Sequence, residues 1–189
     1  MSKTSFLRKP WTPYAVALLG AGAVVFLAWM SRGQLDPVIS GREAPEFSAR
    51  DHQGASRSTD DYEGKVLLLN IWATWCVTCK EEMPSMQRLY EQMEGTEFEI
   101  LAVSIDAPIG QLDLFGEPGG DLWAFADSFS LTFPILHDPS GRIAENFRIT
   151  GVPESFVIDR NGVIFKKVAG PMAWDAPQNV ELIERLLGR

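Results

Sequence analysis

Cys76 and Cys79 are the only cysteines among 189 residues, and they lie two residues apart in the run Trp75-Cys76-Val77-Thr78-Cys79-Lys80. A thiol attacks as its thiolate, and a cysteine in the first turn of a helix gains that state from unsatisfied backbone N–H groups and the positive end of the helix dipole. Cys76 is expected at such a place, just after an apolar strand-like run. Cys79, one turn later on the same face, can then resolve a mixed disulfide formed on Cys76. The pair can therefore accept or donate two electrons. Two other uses compete. A purely structural disulfide this tight would close a very small loop and add little stability. A zinc site would need His52 and His137 as further ligands, at spacings that fit no finger pattern.

The elements that must position this pair are legible around it. Lys65 to Trp72 (KVLLLNIW) is a nearly continuous apolar run, as expected for a strand covered on both faces. A helix is expected from Cys76 to about Glu94, with Met83, Met86, Leu89, Tyr90 and Met93 on one face. Glu97 to Ile105 (EFEILAVSI) reads as a second strand, Leu122 to Phe129 as a short helix, Pro134 to His137 as a short extended piece and Arg142 to Phe147 as a further helix. Ser155 to Asp159 and Val163 to Val168, joined by Arg160-Asn161-Gly162, form an expected hairpin. A helix near Gln178 to Leu187 closes the chain. Ahead of all this, Phe47 and Ser56 to Thr59 flank Gln53-Gly54 as a weaker hairpin. Strands alternating with helices give an α/β sandwich.

The N-terminus is of another kind. Pro10 to Ser31 contains no charged residue, and at about 1.5 Å per residue such a helix spans about 33 Å, enough to cross a bilayer's hydrocarbon core. Lys3, Arg8 and Lys9 precede it and Arg32 comes directly after, so residues 1–9 should stay in the cytoplasm, 10–31 should anchor the chain, 32–43 should form a polar tether and 44–189 should be exported. Trp11, Tyr14 and Trp29 suit the membrane interface. A cleaved signal peptide is the rival reading, but bulky Trp29 and Met30 stand where small residues should precede a cut. Residues 1–32 hold four of the 17 basic and none of the 25 acidic side chains, leaving 13 basic against 25 acidic in the remainder. That balance speaks against a nucleic-acid partner.

Taken together, Asn70-Ile71-Trp72-Ala73-Thr74-Trp75-Cys76, Cys79-Lys80-Glu81-Glu82-Met83-Pro84 and Gly151-Val152-Pro153 ahead of a hairpin resemble the thioredoxin fold over about residues 44–188. More narrowly they resemble the membrane-tethered TlpA, ResA and CcmG (DsbE) group. The resemblance implies a thioredoxin-like α/β fold, a central mixed sheet flanked by helices with an N-terminal hairpin extension, preceded by one transmembrane helix. It implies Cys76 as attacking thiol, Cys79 as the more buried resolving thiol, and a cis Val152-Pro153 peptide bond whose neighbouring backbone pairs with an extended substrate. Pro84 would only bend its helix.

Two departures from ordinary thioredoxin stand out. Where thioredoxin has a buried aspartate, this chain has Asn70, which cannot ionise. The resemblance gives the proton role to Glu82, one turn from Cys79, although a solvated helix glutamate is the plain alternative. Glu154 matches the GxPE run of cytochrome-c-maturation members and is a candidate for substrate selection, or else a solvent-facing loop residue. Trp75 is expected to shield the disulfide. Asp106 to Gly120 (DAPIGQLDLFGEPGG) has no clear counterpart. If the two apolar strands run parallel, this loop borders the site and Leu112, Leu114 and Phe115 can touch a partner, although a tolerated surface insertion fits equally.

The expected function is a membrane-anchored thiol-disulfide oxidoreductase on the periplasmic or outer side of a bacterial cytoplasmic membrane. The resemblance implies a reductase acting on exported proteins such as apocytochrome c, as a monomer, re-reduced by a membrane electron donor of the DsbD or CcdA type, without cofactor or metal. A dedicated oxidase, another TlpA-type reductase for metal-site assembly, and a Sco-like copper chaperone using His137 are the alternatives. Sco-like proteins, however, separate their cysteines by three residues, and the PxxxTxxC frame of a peroxiredoxin nucleophile is not matched by Ala73 to Cys79.

Overall fold

In the computed structural model, which describes residues 12–30 and 40–189, the apolar run becomes the strand Val66–Trp72, with all seven residues buried. Numbered in chain order, the elements are α1 (Thr12–Met30), β1 (Ser48–Arg50), β2 (Ser56–Ser58), a 3-10 turn (Thr59–Tyr62), β3 (Val66–Trp72), α2 (Val77–Gln92), β4 (Phe98–Ser104), α3 (Leu122–Ser128), β5 (Ile135–His137), α4 (Arg142–Asn146), β6 (Glu154–Ile158), β7 (Ile164–Ala169) and α5 (Pro177–Leu187).

The strands form one seven-stranded mixed sheet in the order β2-β1-β5-β4-β3-β6-β7. β3, β4 and β5 run parallel, β6 lies antiparallel to β3 and β7 to β6, and the β1–β2 hairpin joins the far edge through Arg50 opposite His137. This is the thioredoxin-like α/β arrangement with an N-terminal hairpin. β3 and β4 are continuous apolar strands because neighbouring strands take their backbone groups while side chains are covered on both faces. Val66 pairs with Phe98 and Trp72 with Ser104, so the two strands end level at one edge of the sheet. The segments just beyond them, 73–76 and 105–107, are thereby brought together.

One face of α2 buries Cys79, Glu82, Met83, Ser85, Met86, Gln87 and Leu89, at the spacing of a helix packed along one stripe. Pro84 lies inside this helix, which nevertheless continues to Gln92. The hairpin turn at Asn161-Gly162 has Gly162 at φ 77°, a conformation that glycine takes without strain. The tether expected over 32–43 needs one correction. Gly41 N donates to Ile164 O (2.7 Å), Ile164 N to Arg42 O (2.8 Å) and Ala44 N to Gly162 O (2.8 Å), so residues 41–43 already belong to the sheet's outer edge. Polar residues can make that attachment because only their backbone is used.

Helix α1 belongs to a unit separate from the one containing the sheet. Its side chains are described only at 16–24 and 26, and among the described residues no helix is long and apolar enough to cross a membrane. The expectations for residues 1–11 and 31–39, including the basic flanks Lys3, Arg8, Lys9 and Arg32, lie outside the described residues.

Candidate active site

β3 ends at Trp72, and the chain turns through Ala73, Thr74 and Trp75, with Cys76 N donating to Ala73 O (3.2 Å), before α2 begins at Val77. Cys76 is therefore the N-cap rather than a residue of the first turn. Its sulfur accepts the backbone N–H of Cys79 at 3.1 Å, as a capping side chain does. The first turn carries no acidic side chain that would oppose a thiolate there. A disulfide joins Cys76 to Cys79, whose Cα atoms are 5.3 Å apart. Cys79 is fully buried and Cys76 keeps 5% of its surface exposed, so Cys76 is the sulfur nearer to solvent.

Glu82 is not a solvated helix glutamate. It is 2% exposed, and its carboxylate accepts Asn70 Nδ2 at 2.7 Å and the backbone N–H of Met172 at 3.2 Å. The Trp174 indole N–H faces the same carboxyl without closing a hydrogen bond of normal geometry. Burial pushes the Glu82 carboxyl up to about 7, against the opposing pull of Asn70, Met172 and Trp174. Asn70 also donates to Ser155 Oγ at 2.8 Å, directly across the β3–β6 pairing. Ser85 Oγ fastens the covering segment by donating to Glu82 O (2.7 Å) and accepting Trp174 N (3.0 Å). In the sequence Asn70 is conspicuous only as a missing aspartate, and Ser85, Ser155, Met172 and Trp174 are not conspicuous at all. Nothing in their local spacing points to Glu82.

The Val152-Pro153 peptide bond is cis. It immediately precedes β6, where Glu154 pairs with Ile71 near the end of β3, so it lies at the sheet edge from which the chain turns toward Cys76. Val152 is half-buried and outside the β6 ladder. Glu154 is neither loop nor solvent-facing: it opens β6, is 2% exposed, and its carboxylate lies 2.5 Å from Lys167 Nζ. Lys167 also lies over the Phe156 ring, 5.3 Å from its centroid.

Two aspartates tie the segment after β4 to the turn before Cys76. Asp106, fully buried, accepts Thr74 N (2.8 Å), Ser104 Oγ (2.6 Å), Gly120 N (3.2 Å) and Thr74 Oγ1. Asp113 accepts the Trp75 indole N–H at 2.8 Å, and the Phe115 ring meets that of Trp75 edge-on at 6.2 Å. The parallel register of β3 and β4 meets the condition under which the sequence places the 106–120 loop beside the site, but neither aspartate stands out in the sequence.

The histidines are engaged elsewhere. His52 packs edge-on against Trp123 at 4.5 Å, and His137 Nε2 is 2.8 Å from Asp106 O. Among the described residues, no three of His, Cys, Asp and Glu cluster in a way that could hold a metal ion.

This geometry can perform dithiol-disulfide exchange: one outward sulfur at a helix N-terminus, one buried sulfur behind it, and a buried carboxyl that titrates near neutrality. Comparison with known proteins agrees. Residues 40–167 match the model of the AhpC/TSA family. The chain is 36% identical over 148 residues to the thiol-disulfide oxidoreductase ResA of Geobacillus thermodenitrificans, covering 78% of this chain and 79% of the relative. It is 36% identical over 127 residues to the thioredoxin-like protein YneN of Bacillus subtilis, covering 67% and 69%. Among solved structures, a Chlorobium tepidum protein provisionally assigned as the thiol:disulfide interchange protein DsbE superposes with a TM-score of 0.63 at 28% identity, covering 78% of this chain and 94% of that one.

Proposed function

The chain belongs to the AhpC/TSA family as a thioredoxin-like thiol-disulfide oxidoreductase, and from that premise we propose that it is a membrane-tethered protein-disulfide reductase supplying reduced heme-binding cysteines of apocytochrome c. In the forward direction the Cys76 thiolate attacks one sulfur of a substrate disulfide, forming a mixed disulfide and releasing the other substrate sulfur as thiolate. Cys79 then loses its proton and attacks Cys76 Sγ. The second substrate thiol leaves, and two electrons have passed from the dithiol to the substrate. The product is the Cys76–Cys79 disulfide, which a membrane donor of the DsbD or CcdA type would reduce again.

The observation that carries this reading is Glu82. The second step needs a base for a buried thiol, and a buried carboxyl one turn from Cys79 with a pKa raised to about 7 can accept a proton at neutral pH and return it. Substrate backbone would lie against Val152, outside the β6 ladder, while Trp75, Pro153 and Glu154 form the surrounding wall. Placement on the outer side of the membrane rests on the uncharged stretch Pro10 to Ser31 and the basic residues before it.

Trapping and the direction of exchange test the proposal. Reduced protein carrying Cys79→Ser should accumulate a one-to-one mixed disulfide with an oxidised peptide containing Cys-x-x-Cys-His, and the reduced unsubstituted protein should convert that peptide to its dithiol. If the peptide disulfide survives while the oxidised protein readily oxidises the reduced peptide, the protein is an oxidase and the proposal fails.

A further inference from the structure

The segment between β4 and α3 exposes large apolar side chains beside the reactive sulfur, yet it is ordered. Gln111 N donates to Pro108 O (2.9 Å), Asp113 N to Glu117 O (2.9 Å) and Gly119 N to Gln111 O (3.2 Å), while Asp113 Oδ1 accepts Phe115 N (2.8 Å) and Glu117 N (3.0 Å). Leu112 is nonetheless 68% exposed, and Leu114 and Phe115 are also exposed. A folded arm that holds apolar side chains so far outward gains little for its own stability from the exposed part, above all at Leu112, and such a patch commonly marks an interaction site.

The arm is fixed to the residues just before Cys76 at two points. Near its middle, Asp113 Oδ2 accepts the Trp75 indole N–H, with Phe115 against the same ring. At its end, Gly120 N and Thr74 N share Asp106, and a methyl group added at Gly120 would come within 2.2 Å of Thr74 Oγ1. On the other side of the sulfur, Val77 is 68% exposed. Apolar surface thus continues from the arm, across Trp75, to the residue directly after Cys76. From Ala107 to Asp121 the chain carries Asp113, Glu117 and Asp121 and no basic residue.

We propose that this arm is the docking surface for the polypeptide bearing the substrate disulfide, and that it selects segments with apolar side chains next to the cysteines and basic residues close by. The inference rests on the protein-disulfide reading and names its substrate class. Continuity with the Cys76 site decides the occupant: the arm touches Trp75, the residue directly before Cys76, so a polypeptide presenting a disulfide to Cys76 has the arm beside it. The acidic rim favours a cationic partner by charge complementarity.

The test uses the reduced full-length protein and three disulfides: an unstructured peptide with Leu, Phe and Lys around one Cys-x-x-Cys disulfide, its counterpart with Ser and Glu at those positions, and hydroxyethyl disulfide. The expected result is a kcat/KM for the apolar-basic peptide at least about tenfold above that of its counterpart, the order of effect that burial of one or two apolar side chains supplies. Leu112→Ser combined with Phe115→Ser should remove most of that preference through KM. Glu117→Lys, an exposed charge reversal that leaves the apolar surface intact, should shift preference toward the acidic peptide. Equal kcat/KM for the two peptides overturns the inference while leaving protein-disulfide reduction in place. A loss in the double variant that is equal for all three disulfides also overturns it, because the arm is then only a support for Trp75. Reduction of hydroxyethyl disulfide with neither peptide touched removes the protein-disulfide reading itself.

Discussion

At the scale of single residues, the site turns on a carboxylic acid held where it cannot easily be charged. Glu82 has a folded pKa of about 7 against an ordinary 4.5, so the folded protein retains a proton there that the unfolded chain has released. Stability from this group is therefore full below about pH 4.5, declines as pH rises and is lost by about pH 7, a fall of about 3 kcal/mol at most. Glu82→Gln, which stays neutral, should flatten that decline: denaturant unfolding of the oxidised protein should show the variant gaining on the parent between pH 5 and pH 8. The same substitution should remove the inflection near pH 7 from the rate of disulfide exchange. An unchanged exchange profile would return Glu82 to a structural role. The i, i+3 spacing makes Glu82 visible in the sequence, since helix geometry alone places it on the face of Cys79. Asn70 as its partner is not visible there, because that hydrogen bond exists only once α2 packs on β3. That Glu154 is not the solvent-facing loop residue of the alternative reading is hidden for a related reason, since its partner Lys167 comes from the neighbouring strand β7.

At the scale of elements, two parallel strands ending level do the positioning, and Asp106 fastens together the two segments that leave their ends. Its carboxylate takes two backbone N–H groups and two hydroxyls in a fully buried position. Asp106→Ala would leave the Thr74 and Gly120 N–H groups and two hydroxyls without that acceptor, a loss of about 2–4 kcal/mol on the scale of buried charge-assisted hydrogen bonds. Urea unfolding with the disulfide intact should read that loss. The reduced variant should also react more slowly with protein disulfides, since the turn carrying Trp75 and Cys76 is no longer pinned. Full stability in Asp106→Ala would contradict this account. The strands themselves are legible from continuous apolar runs, and α2 from its stripe of Met83, Met86 and Leu89. Residues 41–43 are not, because they attach to β7 through backbone groups that leave no mark on composition. The arm's folded form is equally hidden: a Gly- and Pro-containing run reads as an insertion, and only the Asp113 side chain, bonded to Trp75 and to two of the arm's own N–H groups, makes it a structured part of the site.

At the scale of the whole chain, the reaction requires an environment as well as a site. A dithiol that reduces exported proteins must face the compartment where disulfides persist and still receive electrons from across a membrane. The distribution of charge suits that requirement, because the basic residues Lys3, Arg8 and Lys9 precede an uncharged stretch and everything beyond residue 32 is strongly acidic. Basic flanks are retained on the cytoplasmic side, while acidic segments contribute little to orientation. The full chain should therefore sediment with membranes and resist alkaline carbonate. In intact cells treated with a mild reductant, a membrane-impermeant maleimide should label Cys76. Replacing Lys3, Arg8 and Lys9 together with Glu should reduce that labelling severalfold, because no other side chain in the first 31 residues carries charge to fix the orientation. Recovery of the chain in the soluble fraction, or equal labelling with and without those three basic residues, would remove the anchor from the proposal. The dithiol chemistry would survive that outcome, since Cys76, Cys79 and Glu82 are positioned wholly by elements from β3 onward.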